Sequence, residues 1–269
     1  MSSVGEKCKI IELISDYANK DSKWVDRWNN SMIAIQIRRR EDGAVFGLQD
    51  HIRAMVYSMF SANRSWSGLE KEADKKTGEI RKIDDIFHNY EVDFMKEYDI
   101  DKMLELICKE HFGNWRIKYQ LSALKNNIKQ LEKFQDSGKI DDYYNKIIER
   151  EGNYNDGIIA LIKHLVPLFD EMGVALTSEY LRNIGYDIAK PDVHLKRIMG
   201  SERLGWSSTK EAQDHEIFSI INDISLKMNC SRAWVDYVLW SYCANGYLNM
   251  CGMNPNCTEC IIKKECNKV

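Results

Sequence analysis

The stretch Ile184-Gly185-Tyr186-Asp187-Ile188-Ala189-Lys190-Pro191-Asp192-Val193-His194-Leu195-Lys196-Arg197 decides how this chain is read. Val193, Leu195, Ile198 and Met199 form a helical run, and Asp192 stands immediately before it. Asp is a favoured N-cap because its carboxylate accepts free N–H groups of the first turn, and Pro191 restricts the backbone just ahead of it. A carboxylate there feels the positive end of the helix dipole, which favours its ionised form. An ionised carboxylate can stabilise a developing cation. Taken alone, most N-cap aspartates only cap, and a lone histidine such as His194 is more often structural.

A second signal closes the chain. Of its 8 cysteines, Cys8, Cys108 and Cys230 are scattered and read as buried, inert thiols. The other five lie between Cys243 and the C-terminus, four of them as Cys251-x5-Cys257-x2-Cys260-x5-Cys266. Crowded cysteines in a chain without a secretory signature point to metal rather than to disulfides. A two-knuckle zinc site uses two Cys-x2-Cys pairs, and only one is present here. Close, irregular spacing suits a compact cluster held by four thiolates, although spacing alone leaves both iron–sulfur and zinc open. Cys243, near the end of a helical segment, reads as core.

Between these signals the chain reads as helices. Its only 3 prolines are Pro167, Pro191 and Pro255, and the long Lys/Glu/Leu/Ile-rich stretches favour an all-α fold. Apolar residues recur at helical spacing over 47–62, 101–111, 117–134 and 157–166. Ser208 and Glu211 predict a capping box for a helix carrying Ile217, Ile220, Ile221 and Ile224, and Ser231 predicts the cap of the next. Alternation around Glu41-Asp42-Gly43 reads instead as a small hairpin over 32–46. With 44% hydrophobic and 29% charged residues, the 269-residue chain suits one large domain or two intimately packed lobes.

Composition also narrows the function classes. No apolar run approaches the roughly 20 residues that span a bilayer, and residues 1–6 lack the apolar core of a signal peptide. The expectation is a cytoplasmic protein. A formal net charge of -3 gives no global attraction to a polyanion, so nucleic-acid binding would need a local basic face. Lys190, Lys196 and Arg197 form one candidate. Arg116, Lys118, Lys125, Lys129 and Lys133 form another, which reads equally well as a solvated helix face.

Together the two segments resemble the endonuclease III branch of the helix-hairpin-helix DNA glycosylases. That family has a Gly seven residues before its Asp, and the Asp is followed by x-His; Gly185, Asp192 and His194 match. Its iron–sulfur loop is Cys-x6-Cys-x2-Cys-x5-Cys, one residue longer in the first gap than the tail here. Pro191-Asp192-Val193-His194 and Arg203-Leu204-Gly205-Trp206 also resemble oxoguanine glycosylases. Phe60-Ser61-Ala62-Asn63 resembles the turn whose Gln fills the space left by an extruded base, with Asn63 in that place.

The resemblance implies an all-α fold of two helical lobes flanking a DNA-binding cleft, with a C-terminal [4Fe-4S] loop. It divides the chain into a lobe over 46–166, a second over 1–45 plus 167–250, and a cluster loop over 251–269. It further implies base excision from double-stranded DNA with a damaged or mispaired base, by a monomer associated with a bacterial or archaeal nucleoid. Asp192 would be the catalytic carboxylate. Asn63, Gly173, Lys190, His194, Lys196 and Arg197 would contact DNA, and Cys251, Cys257, Cys260 and Cys266 would hold the cluster.

One departure bears on mechanism. The family hairpin reads Leu-Pro-Gly-Val-Gly-x-Lys-Thr-Ala, and its Lys forms a Schiff base in lyase-competent members. The corresponding stretch, Leu168 to Leu176, keeps only Gly173 of the two glycines, and Gly173 or Val174 falls at the lysine position. The resemblance therefore implies a monofunctional glycosylase. The alternatives are a bifunctional enzyme using a displaced lysine, Lys163 or Lys190, and a DNA-binding protein without catalysis. Trp66, Tyr57, Trp115 and Tyr186 are candidates for base stacking that more often serve as core.

Overall fold

In the computed structural model the described residues are 2–62, 67–136 and 138–268. In chain order the α-helices are α1 (Val4–Ala18), α2 (Ser22–Asn29), α3 (Met32–Glu41), α4 (Leu48–Phe60), α5 (Ser67–Glu70), α6 (Arg81–Ile86), α7 (Val92–Glu97) and α8 (Ile100–Lys109). They continue with α9 (Ile117–Asp136), α10 (Ile140–Glu149), α11 (Tyr154–Leu165), α12 (Val174–Asn183), α13 (Val193–Met199), α14 (Asp214–Met228) and α15 (Arg232–Cys243). The described residues contain no strand, and none of their helices is long and apolar enough to cross a membrane.

Helical periodicity explains most of these elements. Ile117, Leu121, Leu124, Ile128 and Leu131 make one buried stripe along α9. In α4 every residue from Ala54 to Phe60 is buried, so this helix lies inside its unit rather than on it. Asn153, Asp192 and Ser231 cap α11, α13 and α15 with their side chains.

Two readings need correction. Residues 32–41 form α3, not a hairpin arm; Met32, Ala34, Gln36 and Ile37 are buried along it, and the turn follows at Gly43. Ile33, Ile35 and Ile37 recur at a strand's spacing, yet residues 38–41 carry no apolar residue to continue the alternation. The helix expected at Ser208–Glu211 begins at Asp214, where Gln213 and Glu216 form the capping box. Ser207 and Thr209 are drawn into the preceding turn, with the Ser207 hydroxyl on Glu216 at 2.8 Å.

The chain divides into two compact units, Met1–Ala34 with Asp187–Val269, and Ile35–Tyr186. In the first, α1 packs on α14 and α15, and α13 packs on the same pair. Trp24 anchors it: its indole N–H donates to Ser241 at 2.9 Å, and its ring meets Trp234 and Tyr237. In the second, α4 lies against α9 and α12. Ser58 donates to the Leu176 carbonyl at 2.6 Å, and Asn183 donates to the Ala54 carbonyl at 3.2 Å. These bonds, made along the length of α12, join the hairpin and its second helix to the unit that holds α4. The division thus falls at 34/35 and 186/187, whereas the lobes read from sequence met at 45/46 and 166/167.

Candidate active site

Asp192 is the N-cap of α13, with φ -86° and ψ 179°. Its Oδ1 accepts the N–H groups of His194 at 2.8 Å and Leu195 at 3.1 Å. Both restraints fall on one oxygen; among the described residues Oδ2 has no hydrogen-bond partner. The side chain is half-buried. A carboxylate held in this way offers one oriented, solvated oxygen beside the positive end of a helix.

His194 is half-buried, with its ring edge-on to Trp240 at 6.3 Å and 84°. Burial holds the imidazole below its usual pKa; Asp192 pulls the other way, and Arg197 and Lys190 add to the lowering. Lys190 and Arg197 are half-buried, and Lys196 pairs with Asp214 at 2.7 Å. The basic candidates of this unit therefore gather around α13, with one of them already neutralised.

In the other unit α11 and α12 form a helical hairpin joined by residues 166–173. Gly173 is the N-cap of α12 and provides no side-chain cap, so the first-turn N–H groups of α12 are left to other partners. Within that connection Glu171 takes the left-handed conformation at φ 59°. Its carboxylate accepts from the Nε and Nη2 of Arg116, at 2.8 and 2.6 Å. Residues 173–176 are Gly, Val, Ala and Leu, so no amine stands at the start of α12. Lys163 is exposed in the last turn of α11.

Arg116 also lies over two rings, 5.1 Å from Trp115 and 5.4 Å from Tyr119. Trp115 is 71% exposed and Tyr119 64%. This corrects the expectation for Trp115, which is no core residue. The core reading holds for Tyr57, whose hydroxyl donates to the buried Asp84 at 2.8 Å, and for Tyr186, which stacks on Arg40 at 4.0 Å. Asn114 leads into this segment and donates to the Met59 carbonyl at 3.1 Å, so the exposed rings sit near the end of α4. Asn63 and Trp66, expected just beyond that end, lie outside the described residues. A cavity of about 390 Å³ in the same unit is lined by Arg40, Asp141, Asn145, Tyr154 and Tyr186 among others, and does not include Asp192.

The cysteine tail belongs to the Asp192 unit. Cys251 is buried, and its sulfur lies 3.1 Å from the Arg203 guanidinium. The Cys243 thiol donates to the same sulfur, and with Arg203 it brings the Cys251 pKa down to about 6. The Tyr242 hydroxyl lies 3.2 Å from the Cys260 sulfur. Among the described residues no group of three or more His, Cys, Asp or Glu side chains is arranged to hold a metal ion. The donors aimed at Cys251 and Cys260 nevertheless suit thiolates, the form in which cysteine binds iron.

The sequence placed Cys243 in the core, where it lies, but did not point to the contacts that Arg203, Cys243 and Glu171 make. Glu171 acts only through Arg116, a neighbour distant in sequence.

No family model and no curated relative matches the chain. Solved structures match its fold, among them two glycosylases. The 8-oxoguanine glycosylase/lyase of Methanocaldococcus jannaschii, in complex with a 15mer DNA containing 8-oxoguanine, is 17% identical with a TM-score of 0.53, covering 87% of this chain and 96% of that one. The 8-oxoguanine DNA glycosylase of Thermotoga maritima is 18% identical with a TM-score of 0.55, covering 89% and 96%. The chain thus shares the all-helical fold of these two 8-oxoguanine DNA glycosylases.

Proposed function

We propose that this chain is a DNA glycosylase of base-excision repair that hydrolyses the N-glycosidic bond of a damaged or mispaired base. The observation that carries the reading is Asp192, an N-cap carboxylate with one oxygen restrained and the other open, on this fold. The target nucleotide leaves the stack, at a cost of a few kcal/mol that is least for damaged or mispaired bases. As the C1′–N bond breaks, its electron pair leaves with the base and the sugar becomes cationic. The negative Asp192 stabilises that cation and orients the water that adds at C1′ and loses its proton. The base takes up a proton, and an abasic site remains.

An uncapped α12 N-terminus supplies N–H groups suited to a DNA phosphate. The exposed Trp115 and Tyr119, with Arg116 between them, offer π-faces to bases. With no amine at 173–176, chemistry stops at the abasic site. The proteins of like fold act on 8-oxoguanine, so that lesion is the first substrate to test.

Cys251, Cys257, Cys260 and Cys266 are the residues we propose to hold a [4Fe-4S] cluster. When bound, it supplies a structural cross-link for the tail and places Lys263 and Lys264, both exposed, on a fixed surface. Excision assayed over a panel of lesion-bearing duplexes tests the reading. Release of a base by wild type but not by the Asp192 variant supports it; binding to DNA with no release of any base replaces it with a non-catalytic DNA-binding role.

A further inference from the structure

The segment that carries Asp192 is fastened to α15 at successive turns. At its start, Asp187 accepts the backbone N–H groups of Arg232 at 3.0 Å and Ala233 at 2.9 Å, capping α15 from a distant part of the chain. One turn on, Asp236 accepts the backbone N–H of Lys190 at 2.6 Å, and Asp236 is only 2% exposed. The carbonyl of the same Lys190 accepts the N–H of Asp192 at 2.7 Å, closing a three-residue turn around Pro191. The proline ring fixes φ in the range such a turn uses. One more turn along α15, Trp240 meets the ring of His194.

Both backbone polar groups of Lys190 are thereby engaged, one by α15 and the other by Asp192. Positions 232, 236 and 240 repeat at the spacing of one helix face, so this face of α15 runs along the segment. Asp236 is the element of that face nearest in the bonded path to the carboxylate on which the proposed chemistry depends. We infer that Asp236 is a positioning residue: through Lys190 and Pro191 it sets the place and orientation of the Asp192 N-cap, without itself touching DNA. This rests on the glycosylase reading above. A shift of about 1 Å in a catalytic group can cost on the order of a hundredfold in rate, so a rigid tether here has a measurable consequence.

The test compares Asp236→Asn, Asp236→Ala and Asp236→Ser, with the core variant Ile221→Ala as a control for general destabilisation. Asn keeps an acceptor in place and should excise close to the wild-type rate. Ala and the shorter Ser should slow single-turnover excision by about ten- to a hundredfold while DNA affinity is kept. Ile221→Ala should lower Tm and leave the single-turnover rate of the folded protein unchanged. The Lys190 amide should be protected from hydrogen exchange in wild type and Asp236→Asn, and should exchange faster in the other two Asp236 variants. Wild-type excision by folded Ala and Ser variants, or a loss no greater than that of Ile221→Ala, overturns the inference. If wild type releases no base from any duplex, the glycosylase reading fails by itself. The tether is then decided by Lys190 exchange alone, and an unchanged rate in the Ala variant refutes it.

Discussion

The guanidinium of Arg203 lies 3.1 Å from the sulfur of Cys251. The same residue donates to the Gly252 carbonyl at 3.3 Å, and its own carbonyl accepts the N–H of Asn267 at 2.7 Å. One buried arginine therefore holds the tail near both its first and its last cysteine. Two positions later Gly205 has φ 63°, and a Cβ there would come within 2.5 Å of the Asn267 side chain. A side chain there would strain the backbone and push the Asn267 amide off the Ser201 carbonyl to which it donates.

Arg203→Leu should accordingly leave the tail loose. Metal analysis of anaerobically purified protein should find less iron per chain than in wild type, and the tail cysteines should react faster with a thiol reagent. Undiminished iron and unchanged thiol reactivity would show that Arg203 contributes nothing to gathering the tail. About one zinc per chain and no iron, in wild type, would replace the proposed cluster with zinc.

Asp192→Asn should lose roughly two or more orders of magnitude in excision rate, the usual scale for removing one electrostatic stabiliser of a transition state. Folding and DNA affinity should survive, because Asn also caps a helix well. An Asn variant that excises a confirmed substrate as fast as wild type would reduce Asp192 to a cap.

The side chains at the start of α12 make a prediction about products. Wild type should leave intact abasic strands that break only on treatment with alkali or heat, and borohydride should trap no covalent complex. A trapped complex would assign the nucleophile to another amine, with Lys163 and Lys190 the first to replace.

Trp115→Ala should weaken DNA binding by about 1–3 kcal/mol, the range for loss of one base–aromatic stack. Its side chain is 71% exposed, so the melting temperature should barely move. Equilibrium titration at fixed salt checks the first expectation and thermal unfolding the second. An unchanged affinity would remove this surface from the DNA contact.

His51 is fully buried, and burial lowers its pKa from 6.5 to about 3; the nearby Asp141 opposes this and loses. The folded state therefore binds fewer protons than the unfolded one across that interval. Its stabilising effect is complete above about pH 6.5 and is lost progressively as pH falls toward 3. Stability of wild type should thus drop more steeply with acidification below pH 6.5 than that of His51→Gln. Parallel curves in denaturant titrations across that range would show that His51 is protonated in the fold.

The sequence by itself specified the helices whose apolar stripes are long, such as α4 and α9, and the caps at Asp192 and Ser231. Those features depend on residues within a few positions of one another, so spacing reveals them. It also marked Asp192 and the four tail cysteines as the residues worth testing. It misread α3, where Ile33, Ile35 and Ile37 recur at a strand's spacing, and it took Trp115 for core, because exposure depends on what packs above a residue. Only the tertiary structure decided that Arg203 and Cys243 converge on Cys251, that Glu171 is held by Arg116, and that Asp236 bonds to Lys190. Apart from Cys243 and Cys251, these join residues far apart in the chain, and such pairings are set by how helices pack, which no local pattern of residues encodes.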